Sequence, residues 1–292
     1  LREASICSKL EHPGLVHFLD QGITEDTLWF AAELAEGDNF SQFVKKYGPL
    51  TIEQALEIMN QTLDTVAYLH QKDIVHRSLR PESLLVTRQS GNIIVRLSDL
   101  GSAKCFQELQ CITSLDEPGY AIHAFTAPEA LLNYQHLDPR SDIYALGAIL
   151  YFALTGRTPY EIQKGQDLVM TILETDPLPL SVLSPNLPEN IVDVVGRAMA
   201  RDVDIRYSTV QMMQLALFGP PVDLVRLREK LIEHFDENEL RTLCFDLNVD
   251  YESLTGEGKA GKARELVAYC ERHGRISELV KTCHQHRATV RW

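Results

Sequence analysis

The chain has 292 residues, 45% hydrophobic and 24% charged, enough apolar mass for a sizeable core and more than one domain. Its formal net charge of −13 argues against nucleic acid or an anionic membrane surface as the main partner. No apolar run approaches the ~18 residues that a membrane helix needs, so no membrane segment is expected in this stretch.

The negative charge is concentrated before residue 222, while the remainder is nearly balanced, which suggests two units. The six cysteines, Cys7, Cys105, Cys111, Cys244, Cys270 and Cys283, form no C-x-x-C pair. They are expected as reduced, mostly buried thiols in a cytoplasmic protein. The chain opens at Leu1 inside a helical pattern, and a fragment lacking its true N-terminus is expected.

In chain order, residues 1–10 read as a helix ending before "EHPG". "LVHFLDQG" and "TLWFAAELAEG" are short apolar runs bounded by turn residues, and predict an antiparallel strand pair. Residues 51–71 place Ile52, Ala55, Leu56, Ile58, Met59, Leu63, Val66, Ala67 and Leu69 near helical spacing, which predicts a long, largely buried helix. "SLLVT" and "NIIVRLS" predict strands around the turn "RQSGN", followed by an irregular stretch from about residue 99 to 127. Helical patterns return at 140–155, 165–175, 189–200 and 208–217. "LFGPPVD" is a helix stop and linker. Beyond it the chain reads as helical. Asp236 and Glu239 form a capping box in "FDENEL", "KARELVAYCERHG" is amphipathic and stops at Gly274, and "RISELVKTCHQH" is the last helix.

"HRSLRPES" at residues 76–83, "SDLG" ending at Gly101, "TAPEA" around Ala127–Glu129, "SDIYALGAIL" with Asp142 and Gly147, and "DIRYS" with Arg206 recur in one order. This ordered set over about residues 1–217 resembles the eukaryotic-type Ser/Thr protein kinases. "HPGLV" fits the family's "HPNIV" stretch, and Glu3 falls where its mobile helix carries an ion-pairing glutamate. The Gly-rich loop and phosphate-binding lysine that precede this in the family lie outside the sequence.

The resemblance implies that "FAAELAEG" is the hinge, with Glu33 and Ala35 offering backbone groups to an adenine ring and Leu85 flooring it. It implies that Asp99 holds a Mg²⁺ bridging nucleotide phosphates. The catalytic loop departs from the family pattern H-R-D-L-K-P-E-N. Ser78, Arg80 and Ser83 stand where the family has its catalytic aspartate, its lysine and its metal-binding asparagine. Serine is no base near neutral pH, and a positioned general base is worth about 10²–10⁴ in rate. Arg80 keeps a positive charge but not a point-charge geometry. Ile122 replaces the hydroxyl residue that serves the aspartate, and using the nearby Thr126 instead requires a shift of register. The scaffold positions Glu129, Asp142, Gly147 and Arg206 are kept.

"GEGKAGKA" fits a P-loop only up to Ala263, where a Mg²⁺-binding Ser or Thr is required, and no buried strand precedes it. A Gly-rich turn into a helix is the better reading. Residues 224–286 resemble a small, death-fold-like effector-associated domain of bacterial signalling proteins, which implies an adaptor pairing with like domains on other proteins. His273, His284 and His286 lack zinc-ligand spacing and are expected as exposed helix-end residues.

The expected fold class is α+β: a protein-kinase-like fold, with a mostly helical C-lobe and a partial N-lobe, followed by a small all-α bundle. The expected domains are residues 1–217, a linker at 218–223, and a helical adaptor-like unit at 224–287. The expected function is a pseudokinase-type signalling protein with ATP and Mg²⁺ held weakly or not at all, and with protein partners. The alternatives are an active kinase using Asp99 and a substitute base such as Asp73 or Asp116, and an inert spacer that presents the helical unit.

Overall fold

The computed structural model of the protein describes residues 10–24, 27–89, 91–100, 104–105, 122–132, 138–162, 166–219, 223–273, 275–287, 289–290 and 292. The expectations that rest on Glu3, Cys7, Cys111, Asp116 and Gly274 lie outside those residues, as do the helix at 1–10 over all but its last residue and much of the stretch 99–127. The chain divides into two compact units, residues 1–219 and 220–292.

In the first unit, β1 (Phe18–Thr24) pairs antiparallel with β2 (Thr27–Ala32). β3 (Asp38–Asn39), β5 (Leu84–Gln89) and β6 (Asn92–Leu97) form an antiparallel three-stranded sheet with β5 in the middle. β4 (Ile74–Val75) pairs with β7 (Lys104–Cys105), which lies inside the stretch expected to be irregular. Along β6, Ile93, Val95 and Leu97 are buried while Ile94 and Arg96 are half-buried on the other face, the two-residue period of a strand covered on one side.

The helix α1 (Phe40–Tyr47) is not legible from periodicity, because it spans only two turns. It forms because Asn39 and Gln42 make a reciprocal capping box and because Phe40, Phe43 and Val44 are buried. The helix α2 (Ile52–Gln71) starts at a second such box, Thr51 with Gln54. Its apolar stripe from Ala55 to Leu69 is buried, and Ile52 and Leu56 pack half-buried at its rim.

After α3 (Pro128–Leu132), α4 (Arg140–Thr155) is buried on every side from Ser141 to Leu154. A helix without a polar face belongs in the centre of a core. The helices α5 (Leu168–Glu174), α6 (Leu180–Leu183), α7 (Glu189–Ala198) and α8 (Val210–Phe218) complete the unit. At Gly147 a Cβ would stand 2.8 Å from the Ala198 Cβ, so glycine there allows α4 to approach α7.

The second unit packs α9 (Leu224–His234), α10 (Glu237–Asp246), α11 (Gly258–Arg272) and α12 (Ile276–His286) around Leu227, Leu231, Leu243, Leu266 and Leu279. Asp236 and Glu239 make the expected capping box. Cys244, Cys270 and Cys283 are free thiols in this core, and burial pushes their pKa values up to about 12, 11 and 12. The Lys262 ammonium donates to the carbonyl oxygens of Tyr251 (3.1 Å) and Leu254 (2.7 Å). It therefore ties down the preceding loop, a task unrelated to phosphate. His286 departs from expectation: its Nε2 lies 2.7 Å from Asp246 Oδ2, which draws the ring half under cover. Among the described residues, no helix is long and apolar enough to cross a membrane, and no group of three His, Cys, Asp or Glu side chains could hold a metal.

Candidate functional site

The loop after β4 is held from below by one carboxylate. Asp142, in the first turn of α4, is 1% exposed. Its Oδ2 accepts from the His76 N–H (2.8 Å), its Oδ1 accepts from the Arg77 N–H (2.9 Å), and His70 Nε2 lies 2.9 Å from Oδ2. Burial alone would raise the Asp142 pKa. The His70 bond and charge, with His76, outweigh it and hold the carboxyl below its ordinary value. The two amide bonds also hold Arg77 at φ 66°, a left-handed conformation that costs a non-glycine residue about 1–3 kcal/mol.

Ser78 follows, 5% exposed, and Leu79 is buried in the core. Arg80 then turns the chain into a single 3₁₀ turn, Pro81–Ser83. The Ser83 hydroxyl donates to the Arg80 carbonyl oxygen (2.8 Å) and accepts from the Arg80 N–H (3.2 Å), so it closes this turn on itself. The Ser98 N–H and hydroxyl both donate to the Ser83 carbonyl oxygen, at 2.9 and 3.1 Å. His76 Nε2 lies 3.1 Å from the Ser98 carbonyl oxygen. These bonds fasten the end of β6 to the loop and deliver Asp99, itself left-handed at φ 65°. The Arg80 Nη2 donates to Asp99 Oδ2 at 3.0 Å.

His123 faces this pair and escaped the sequence reading. Burial pushes its imidazole down to about 4, the Arg80 charge adds to the effect, and Asp99 opposes it. Burial also lowers His76, although Asp142 and the Ser98 carbonyl resist. Both rings are neutral in the folded chain and take up protons more readily once it unfolds. The stability they contribute is therefore complete above the ordinary imidazole value of 6.5 and is lost as pH falls toward the folded values. For His123 the full loss is about 3 kcal/mol, reached near pH 4. Urea midpoints are expected to fall between about pH 7 and about pH 4.5, and His123→Gln, which cannot titrate, to flatten that fall.

The expected hinge follows β2. Glu33 does not line the cavity there, and its backbone N–H donates to the His17 carbonyl oxygen at 2.9 Å. Its Oε1 accepts from the His17 N–H (3.0 Å) and from Arg96 Nη1 (2.6 Å), which together hold its pKa low. Ala35 and Leu85 do meet, in a cavity of about 310 Å³ lined also by Leu34, Glu36, Thr87 and Arg96. Gly37 makes this approach feasible: it sits at φ 124°, and a Cβ would stand 2.4 Å from the Val86 carbonyl oxygen. Asp99 does not line this cavity. A larger one, about 520 Å³, lies between α2, the His12–Gly14 turn and α8, and none of the expected site residues lines it.

Of the other expected positions, Ile122 is 42% exposed. The Thr126 hydroxyl accepts from the His123 N–H at 3.0 Å and serves its own turn. Asp73 is an exposed, left-handed residue in the turn after α2. Glu129 and Arg206 form a two-pronged ion pair, 2.7 Å on each side. The sequence reading passed over His70, Arg96 and Ser98. Only Arg96 had a local signal, a charge at a half-covered position of an alternating strand.

The profile of the protein kinase domain matches residues 1–218, and that of effector-associated domain 7 matches residues 227–288. The serine/threonine-protein kinase PrkC of Bacillus subtilis is 30% identical over 88% of this chain and 39% of its own length. A probable serine/threonine-protein kinase PknB of Lactococcus lactis is 28% identical over 86% of this chain and 39% of its own. The chain thus spans about two fifths of the length of these curated relatives. The solved structure of the Rad53 kinase domain and SCD2 superposes with a TM-score of 0.60 at 24% identity, over 75% of each chain, a likeness of fold. With its fastened loop, its Glu129–Arg206 pair and these matches, the chain belongs to the protein kinase domain family and carries an effector-associated domain 7 after it.

Proposed function

We propose that this chain is a kinase-like signalling protein with impaired phosphate transfer. It holds ATP weakly at the hinge cavity and engages protein partners bearing like helical domains through its C-terminal unit. The observation that carries this reading is the loop. Its backbone is held by Asp142, yet the residue after Arg77 is Ser78, which has neither charge nor basicity. The cavity shared by Ala35 and Leu85 supports a place for an adenine ring, with the Ala35 backbone as its hydrogen-bonding edge and the Leu85 side chain as its floor. Reduced, buried Cys244, Cys270 and Cys283 support a cytoplasmic setting.

A second reading, an active Ser/Thr kinase, is favoured by the names of the curated relatives and by the left-handed Arg77 and Asp99 kept at the site. Incubation with labelled ATP and Mg²⁺ separates the two. The impaired reading expects transfer to the chain or to a basic protein to be slower by about 10²–10⁴ than in a kinase with an aspartate base. Ser78→Asp is expected to recover part of that loss. Brisk transfer by the unmodified chain, abolished by Asp99→Ala, establishes the active reading instead. Absence of any saturable ATP binding leaves the helical unit as the working part.

A further inference from the structure

In this family a divalent metal brings the phosphates of the nucleotide to the aspartate that stands here as Asp99. Two anions meet at such a place only through a cation. Mg²⁺ needs near-octahedral oxygen ligands at about 2.0–2.1 Å. The residues present do not fit it. Asp99 Oδ2 is engaged by the Arg80 guanidinium at 3.0 Å. The second ligand position holds Ser83, whose hydroxyl has its proton on the Arg80 carbonyl oxygen and accepts from the Arg80 N–H. A metal on Asp99 would stand against a permanent positive charge on one side and would find a committed hydroxyl on the other.

Arg80 has the chemistry to replace the ion. A guanidinium cannot lose its proton near neutral pH and presents five N–H donors in a rigid plane, a fork that fits carboxylate and phosphate oxygens alike. One nitrogen, Nη2, serves Asp99. Nε is buried and has no hydrogen-bond partner among the described residues. The side chain as a whole is 31% exposed while it contacts Asp99. The His123 Nε2, also buried without a partner among the described residues, belongs to the neutral ring facing the pair, so among the described residues the fixed cation paired with Asp99 is Arg80.

We propose that Arg80 is the built-in cation of this site: it occupies the metal's place at Asp99 and holds a nucleotide phosphate without added metal. This rests on the reading that the chain binds ATP. The lysine of ordinary family members and a divalent ion are thus condensed into one side chain, which neutralises Asp99 and takes the phosphate.

The test measures binding of a fluorescent ATP analogue to the full chain, in EDTA and in Mg²⁺. Wild type is expected to bind about equally in both. Arg80→Gln is expected to lose about tenfold or more in EDTA, the worth of one charge-assisted contact, and to regain affinity with Mg²⁺ once Asp99 is released. Asp99→Asn gives a second reading that does not remove the cation. It frees Arg80, so metal-free affinity is expected to hold or rise, whereas a metal-ligand role makes affinity in Mg²⁺ fall about tenfold or more. Urea midpoints of each variant establish that it is folded. Wild-type binding that requires Mg²⁺ and collapses with Asp99→Asn overturns the proposal and leaves ATP binding standing. No saturable binding in either buffer overturns both.

Discussion

Replacing Arg206 by Leu is expected to cost the first unit about 3–5 kcal/mol, enough to unfold a marginally stable domain. The guanidinium side chain is 0% exposed, and its donors reach Glu129, Ala200, Arg140 and, at 3.4 Å, the Arg201 carbonyl oxygen. Nη1 and Nη2 each donate to a Glu129 oxygen at 2.7 Å, Nε donates to the Ala200 carbonyl oxygen at 2.7 Å, and Nη1 also reaches the Arg140 carbonyl oxygen at 3.0 Å. Its carbon lies 4.9 Å from the centre of the Tyr144 ring. Leucine leaves the Glu129 charge without its cation and removes this donor from the Ala200, Arg140 and Arg201 carbonyl oxygens. Lysine keeps the charge but cannot span the carboxylate and the carbonyls together, so Arg206→Lys is expected to recover less than half of the loss. Urea unfolding of wild type, Arg206→Leu, Glu129→Gln and the double variant checks this. The double variant should be less destabilised than the sum of the singles, since the two residues share one interaction. Additive losses would show that the pair is not the source.

Replacing Asp142 by Ala is expected to cost about 3 kcal/mol and to release the loop it holds. The carboxylate is buried and low in pKa, so it is charged throughout the neutral range. Its loss leaves the His76 and Arg77 amide N–H groups without their acceptor, inside the protein, at about 1–3 kcal/mol each. Release of a buried charge offsets part of that cost. The left-handed Arg77 then loses the carboxylate that anchors its amide, and relaxation toward negative φ shifts Ser78 and Arg80. Two measurements check this: the urea midpoint, and the rate of trypsin cleavage after Arg77. Both should move together. A lowered midpoint with unchanged cleavage would mean that Asp142 supports the core of α4 and not the loop. Asp142→Asn keeps an acceptor and is expected to fall between the two.

Much of the architecture was open to reading because its determinants are local. The stripe from Ala55 to Leu69 defines the buried face of α2, and Thr51 with Gln54 fixes where that helix begins. Strand period marks β6, and Asp236 with Glu239 marks the start of α10. The short helix α1 escaped for a physical reason. Two turns carry too few residues for a period to emerge, and burial of Phe40 and Phe43 stabilises it. His70 escaped likewise, since nothing around residue 70 announces a carboxylate 72 positions later.

The sequence by itself determined the chemical inventory of the site. Ser78 without charge, Arg80 with permanent charge, Ser83 with one hydroxyl and Asp99 with its carboxylate are properties of residue types, independent of where they lie. Which of them meet was decided only by tertiary structure. Arg80 reaches Asp99 across 19 residues because the Ser98 bonds to the Ser83 carbonyl fasten the end of β6 to the loop. Glu33 meets Arg96, 63 residues on, and the His17 amide, neither of which its own sequence neighbourhood announces. Ion pairs and hydrogen bonds act over a few ångströms, whereas residue spacing along the chain limits distance only from above. Pairings at long separation are therefore written in the packing of the core.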